Sequence, residues 1–231
     1  MQTKRFSLVL SGNCLLFLSA DLDDGERQDA IDAQLFCWLN ASSEFLLLGE
    51  HQQWQGTYRD RHTGLGWVVS ASSETIKIEQ VPVPFTPLAS VWHGLGTLPA
   101  PLLPALNEAL GALQALPETH PALQLLSAEA LECVKAPDVK PVTRLAFELR
   151  VVLPGLRAVA SSIFLETRQC LERQWLTQPL AIEAVIRQET RSFTGELFPG
   201  VFSGVRALLQ TRLEALRAMY VVPLDVREDS Q

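Results

Sequence analysis

The sequence predicts an α+β fold: an N-terminal hairpin and amphipathic helix, a central helical segment, then a C-terminal antiparallel β-meander followed by a long helix and a short final strand. Three observations carry that prediction. Two apolar runs flank Ser11-Gly12-Asn13, apolar residues at 31, 35, 38 and 39 recur at helical spacing, and Arg144–Val151 alternates with period two. With 231 residues, 47% hydrophobic and 19% charged, the chain has material for a real core and not the composition of a disordered one.

Phe6–Leu10 and Cys14–Ser19 are the opening strands, with Gly12 and Asn13 expected to supply the positive φ angles of the turn. Lys4-Arg5 ahead of an apolar run also has the outline of a secretory signal. The hairpin is the preferred reading, because Ser11-Gly12-Asn13 breaks the run at its centre and Leu18 stands where cleavage prefers a small residue. A helix follows from Gly25 to Asn40, with Asp23 or Asp24 placed to accept from the free amides of its first turn. Trp54 and Tyr58, four residues apart, put two rings on one side of a short second helix. Trp67–Ser70 and Thr75–Glu79 read as strands, the second half-buried.

The three prolines of Val81–Pro87 exclude a helix and mark a linker. Leu88–Leu95, Leu103–Leu116 and Pro121–Cys133 are helical pieces. In Arg144–Val151 the polar positions 144, 148 and 150 predict a strand with one solvated face, and Leu153-Pro154-Gly155 turns the chain into its partner, Leu156–Thr167. Ala181–Phe193 fits either a strand or a helix, because Glu183, Arg187 and Arg191 fall four apart; the neighbouring meander favours a strand. The last helix, Pro199–Ala218, starts with proline in its first turn and turns Val205, Leu208, Leu209, Leu213 and Leu216 inward. Tyr220–Leu224 is a short final strand. The parts are then 1–80 (α+β), 81–87 (Pro-rich linker), 88–134 (helical segment) and 142–225 (meander plus helix), forming one cooperative unit or two domains.

Arg27-Gln28-Asp29, Asp32, Leu35, Leu39, Trp54, Tyr58 and Gly66-Trp67-Val68-Val69 form a spaced pattern. It resembles that of a group of small, uncharacterised microbial proteins with an Arg-Gln-Asp helix followed by Trp, Tyr and Gly-Trp-Val. Their second halves are similar too, with a meander, a long helix carrying Val-Arg near its start (here Val205-Arg206) and a short final strand. The resemblance covers most of the chain and favours one cooperative unit. It brings no activity with it.

The residues point to no reaction. Gly-x-Ser-x-Gly, Gly-x-x-x-x-Gly-Lys and Gly-x-Gly-x-x-Gly are all absent, which argues against a nucleophile elbow and the common nucleotide loops. Cys14, Cys37, Cys133 and Cys170 are too dispersed for a zinc site or a disulfide framework and read as thiols of a reducing compartment, which favours the cytoplasm. Asp60 and His62 are the one candidate acid/base couple, in what reads as the solvated loop Arg59–Thr63. Asp21–Glu26 lacks the ligand spacing of a calcium loop and fits a helix cap. Trp38, Trp54, Tyr58 and Trp67 read as core aromatics sooner than a ligand pocket, and Arg206, Arg212 and Arg217 as a solvated helix face sooner than a phosphate site. No catalytic, cofactor-binding or metal-binding residue is assigned, and no cofactor is implied.

Charge is uneven. Residues 1–138 carry seven Lys/Arg against sixteen Asp/Glu, and residues 139–222 carry eleven against seven, within a net charge of −7. Halves that face each other, or local pairing, are the economical explanation. The expected function is a non-catalytic protein–protein interaction, as an assembly subunit or adaptor of a larger microbial system, with a protein partner or self-association through the charged halves. The alternative is an enzyme with a site assembled from scattered residues, whose sign would be a deep polar pocket holding His62 or His93 beside a carboxylate. Nucleic-acid binding through the Arg-rich half is disfavoured by the overall acidity, and no apolar run reaches membrane-spanning length.

Overall fold

The computed structural model describes residues 5–75, 85–96, 98–136, 139–171 and 174–224, and its eight strands form one mixed sheet. They are β1 (Phe6–Ser11), β2 (Cys14–Ser19), β3 (Trp67–Thr75), β4 (Leu131–Ala136), β5 (Val139–Leu153), β6 (Arg157–Thr167), β7 (Val185–Leu197) and β8 (Val221–Pro223). The α-helices are α1 (Asp24–Glu44), α2 (His51–Gly64), α3 (Pro87–His93), α4 (Leu103–Gln114), α5 (Pro121–Ala130) and α6 (Pro199–Tyr220). The α+β class, the N-terminal hairpin and the long last helix with its short strand are as the sequence predicts.

Strand order is β3-β7-β6-β5-β2-β1-β8, and β4 pairs with the first part of β5. β2 and β5 run parallel, with Cys14 beside Glu148 and Phe17 beside Val151, while the other neighbours are antiparallel. This parallel contact joins the hairpin to the meander, so both ends of the chain share one sheet. Six consecutive residues of β2 are buried. Such a strand belongs at the centre of a sheet covered on both sides. One face packs Leu15, Phe17, Phe147 and Leu149 against α3, α4 and α5. The other packs Leu16, Leu18 and Val152 against α1, α2 and α6.

The hairpin closes through Gly12-Asn13, since Ser11 pairs with Cys14. Gly12 has φ +58°, and Asn13 does not join it at positive φ. Asn13 instead donates its side-chain amide to the Ala146 carbonyl at 3.2 Å, which ties the turn to β5. A Cβ on Gly12 would stand 2.5–2.9 Å from three indole atoms of Trp38. Gly155 also sits at positive φ, +73°, with nothing within 4 Å of its Cβ position. Gly12→Ala therefore adds overpacking to the left-handed penalty and is expected to cost about 3 kcal/mol, against about 1 for Gly155→Ala. Urea midpoints of the two variants check this, and equal losses would remove the packing argument.

Several elements depart from expectation. α1 runs on to Glu44, capped by a box in which Asp23 accepts from the Glu26 amide and Glu26 from the Asp23 amide. α2 extends through Arg59–Thr63, so that stretch is helix and not a loop. The helix beginning at Pro121 stops at Ala130, and Leu131–Ala136 pairs as strand β4, its first three residues within the predicted helix Pro121–Cys133. Val185–Leu197 is a strand, as the meander implied. Leu209 and Leu213 face inward on α6, but Leu208 is 51% exposed. The Val81–Pro87 linker and the Thr75–Glu79 strand lie largely outside the described residues; of them, Thr86 caps α3 and Pro87 opens it.

β5 departs furthest from expectation. Arg144 is partly exposed, but from Ala146 on the polar alternate face is not solvated: Ala146, Glu148 and Arg150 are all buried, with Arg150 only 1% exposed. α2 lies over them, because β5 is interior to a sheet covered on both faces.

Candidate binding cleft

The polar face of β5 meets the inner face of α2. Tyr58 and His62, four apart on α2, both point down onto Glu148 and Arg150, which are two apart on β5. Arg150 donates from Nε and Nη2 to Glu148 Oε1 at 2.9 and 2.7 Å, and from Nη2 to the Tyr58 hydroxyl at 3.2 Å. Its Nη1 donates to His62 Nε2 at 2.9 Å. The guanidinium lies over the Phe193 and Trp67 rings, 5.1 and 5.4 Å from their centroids. Tyr58 donates to Gln34 Oε1 at 2.8 Å, and the Cys14 thiol approaches Glu148 Oε1 at 3.5 Å.

These contacts decide the protonation states. His62 Nε2 accepts from Arg150, so Nδ1 carries the proton and donates to the Tyr58 carbonyl at 2.9 Å. Burial, then the Arg150 charge, hold the His62 pKa well below its ordinary value, so the ring is neutral. Burial and then Glu148 push the Tyr58 hydroxyl and the Cys14 thiol up, so both keep their protons. Burial opposes the Arg150 charge, but Glu148 outweighs it and the guanidinium stays charged.

A second ionic row lies on the same sheet face. Arg187, Glu189 and Arg191 project together from β7; Arg187 pairs with Glu189, and Arg191 bridges Glu189 at 3.0 Å and Glu74 of β3 at 2.7 Å. His51 stacks on Phe164 at 4.1 Å and meets Arg191 at 3.5 Å. Burial, then Arg191, bring its pKa down to about 3.

Between these groups and solvent is a cleft of about 610 Å³. Gln52, Gln55, Gly56, Arg59 and Thr63 form its α2 wall, one flank of the helix at spacings of three and four. Val69, Ser72 and Glu74 of β3 face them, Arg191 and Phe193 of β7 lie between, and Tyr58, His62, Trp67 and Glu148 also line it. The volume is in the range of small-ligand sites. At Gly56 a Cβ would find nothing within 4 Å.

The structure separates the expected acid/base couple: Asp60 is exposed, whereas His62 is buried and bound to Arg150, because residues two apart leave a helix on different sides. It does bring His62 and a carboxylate, Glu148, into one cleft, joined through Arg150, and the sequence does not single Glu148 out. Trp38, Trp54, Tyr58 and Trp67 all belong to the core, as expected, and Tyr58 and Trp67 line the cleft as well. His93 is exposed at the end of α3, outside the residues lining the cleft. Asp23 and Glu26 spend oxygens on the helix cap, and Glu26 also accepts from the Gly155 amide at 2.9 Å.

Arg206 and Arg217 are not a merely solvated face. Each holds a buried aspartate of α1: Arg206 to Asp29 at 2.6 Å and Arg217 to Asp32 at 2.6 Å. With Gln28 on Asp32, and Arg27 on Ser7 and the Ser19 carbonyl, the Arg-Gln-Asp segment locks α1 to α6 and to the hairpin. The acidic and basic halves therefore face each other inside the molecule. No helix among the described residues is long and apolar enough to cross a membrane. No protein-family model, curated protein or solved structure matches the chain.

Proposed function

We propose that this protein is a non-catalytic binding protein of the interaction or adaptor class, and that the cleft beside α2 is its recognition element. One observation supports this above the others: the ionisable groups at the sheet side of the cleft are spent on one another. The lone pair of His62 is held by Arg150, Glu148 is held by the same guanidinium, and Glu74 is held by Arg191. A base whose lone pair faces a guanidinium has none to offer a substrate. Association driven by opposite charges of the two halves loses its support, because Asp29–Arg206, Asp32–Arg217 and Glu74–Arg191 already join them within one chain.

Gly56 gives the test. A large side chain there grows into open space, and replacing an interior helix glycine raises helix propensity. Gly56→Trp is expected to fold at least as well as the wild type and to lose a partner that the wild type retains in affinity capture from its own cell extract. Equal recovery by both would move the binding surface away from the cleft. The second reading, an enzyme, has one observation in its favour, the shared cleft of His62 and Glu148. Turnover of any substrate that disappears in Glu148→Gln while the fold survives would establish it in place of the first.

A further inference from the structure

We infer that the cleft takes a ligand presenting a carboxylate on a planar ring, and that Arg59 receives the carboxylate. This rests on the cleft being the recognition element and names what it recognises. The sign follows from the charges around it. Four guanidinium groups, Arg59, Arg150, Arg187 and Arg191, accompany three carboxylates, Glu74, Glu148 and Glu189. Arg150, Arg187 and Arg191 each hold a carboxylate. Arg59 is exposed on the α2 wall and its guanidinium has no partner among the described residues. Asp60 follows it in sequence but leaves the helix on another side. Among the described residues, a chain of net charge −7 thus keeps one positive charge uncompensated at this cleft. One guanidinium matches a monoanion, and its planar fork fits a carboxylate with two parallel hydrogen bonds. A phosphate dianion would call for a second cation or a cradle of backbone amides, and Arg191 is already engaged.

The ring follows from what lies beside Arg59. Phe193 is partly exposed in the cleft, with the Trp67 ring 6.3 Å away and edge-on to it. Trp67 is 3% exposed, yet its indole N–H has no hydrogen-bond partner among the described residues. A ligand ring lying against Phe193 and carrying a carboxylate for Arg59 engages both groups, and Trp67, which also lines the cleft, reports on it.

The test uses 4-hydroxybenzoate and its neutral isostere 4-hydroxybenzamide, titrated into the full chain while the indole N–H resonances are followed by NMR. Trp67→Phe identifies the Trp67 signal. The acid is expected to move that signal saturably and to bind about threefold tighter than the amide, the size of effect an exposed ion pair gives. Arg59→Gln should erase the preference, and Gly56→Leu should abolish both titrations. A preference that survives Arg59→Gln overturns the role of Arg59. Equal binding of acid and amide, both lost in Gly56→Leu, overturns the carboxylate while leaving the cleft as a binding site. No movement of the Trp67 signal with either compound overturns the ligand class, and the Gly56→Trp capture then judges the cleft by itself.

Discussion

Arg150→Met is expected to destabilise the protein by about 3–5 kcal/mol, the usual result of removing one partner from a buried ion pair. The guanidinium is 1% exposed and makes hydrogen bonds to three side chains on two elements. Methionine fills similar space, so the loss comes from what is left behind and not from a cavity. Glu148 keeps the Cys14 thiol at 3.5 Å and the Tyr58 hydroxyl at 3.3 Å, whose one proton Gln34 also draws, both weak support for a buried carboxylate, and His62 Nε2 loses its donor. The double variant Glu148→Leu/Arg150→Met removes charge with charge and should regain most of the loss. Urea unfolding of the two singles and the double closes the cycle. Additive losses would mean that the two side chains stabilise α2 independently and that the network is not a unit.

The same pair shows where reading the sequence stops. Period two across Arg144–Val151 located the strand, and the turn at Leu153-Pro154-Gly155 located its partner, because those are local signals. What the pattern lacked was the layer above it. A polar alternate face is solvated in a one-sided sheet and buried in a two-sided one, and the difference lies 134 residues away in β2. Cys14–Leu18 is apolar at every position, which marks a strand covered on both faces and, by pairing, a neighbour covered likewise. Read together, the two stretches would have placed Glu148 and Arg150 inside. The Asp60/His62 couple failed for a related reason: taken as a loop, the two share a surface, whereas in α2 they point apart. Arg206 and Arg217 have helical spacing that alone is indifferent between solvent and α1. Only the packing of α6 on α1 brings them to Asp29 and Asp32.

Stability should fall steeply as pH drops below 6.5. His51 and His62 are both buried and both held neutral, His51 with its pKa down to about 3. In the unfolded chain each titrates near its ordinary 6.5. Below that pH the unfolded state binds two protons that the folded state refuses, so acid favours unfolding. The stability is present in full above pH 6.5 and is lost as pH falls, until the folded-state values are reached. Each histidine contributes about 1.4 kcal/mol per pH unit in this window, so the pair gives a slope of about 2.7. The cause is geometric for both rings. His62 faces Arg150 across 2.9 Å with Trp67 and Phe193 around it, and His51 stacks on Phe164, with Trp54 6.4 Å away and Arg191 at its open nitrogen. A proton on either would set a cation against a guanidinium. His62→Gln retains an acceptor for Arg150 and removes the titration, so its slope from pH 6.5 to 5 should be half that of the wild type. His51→Gln should do the same by the same amount. A slope unchanged in both variants would assign the acid sensitivity to carboxylates elsewhere and would mean that neither ring is held neutral in the folded state.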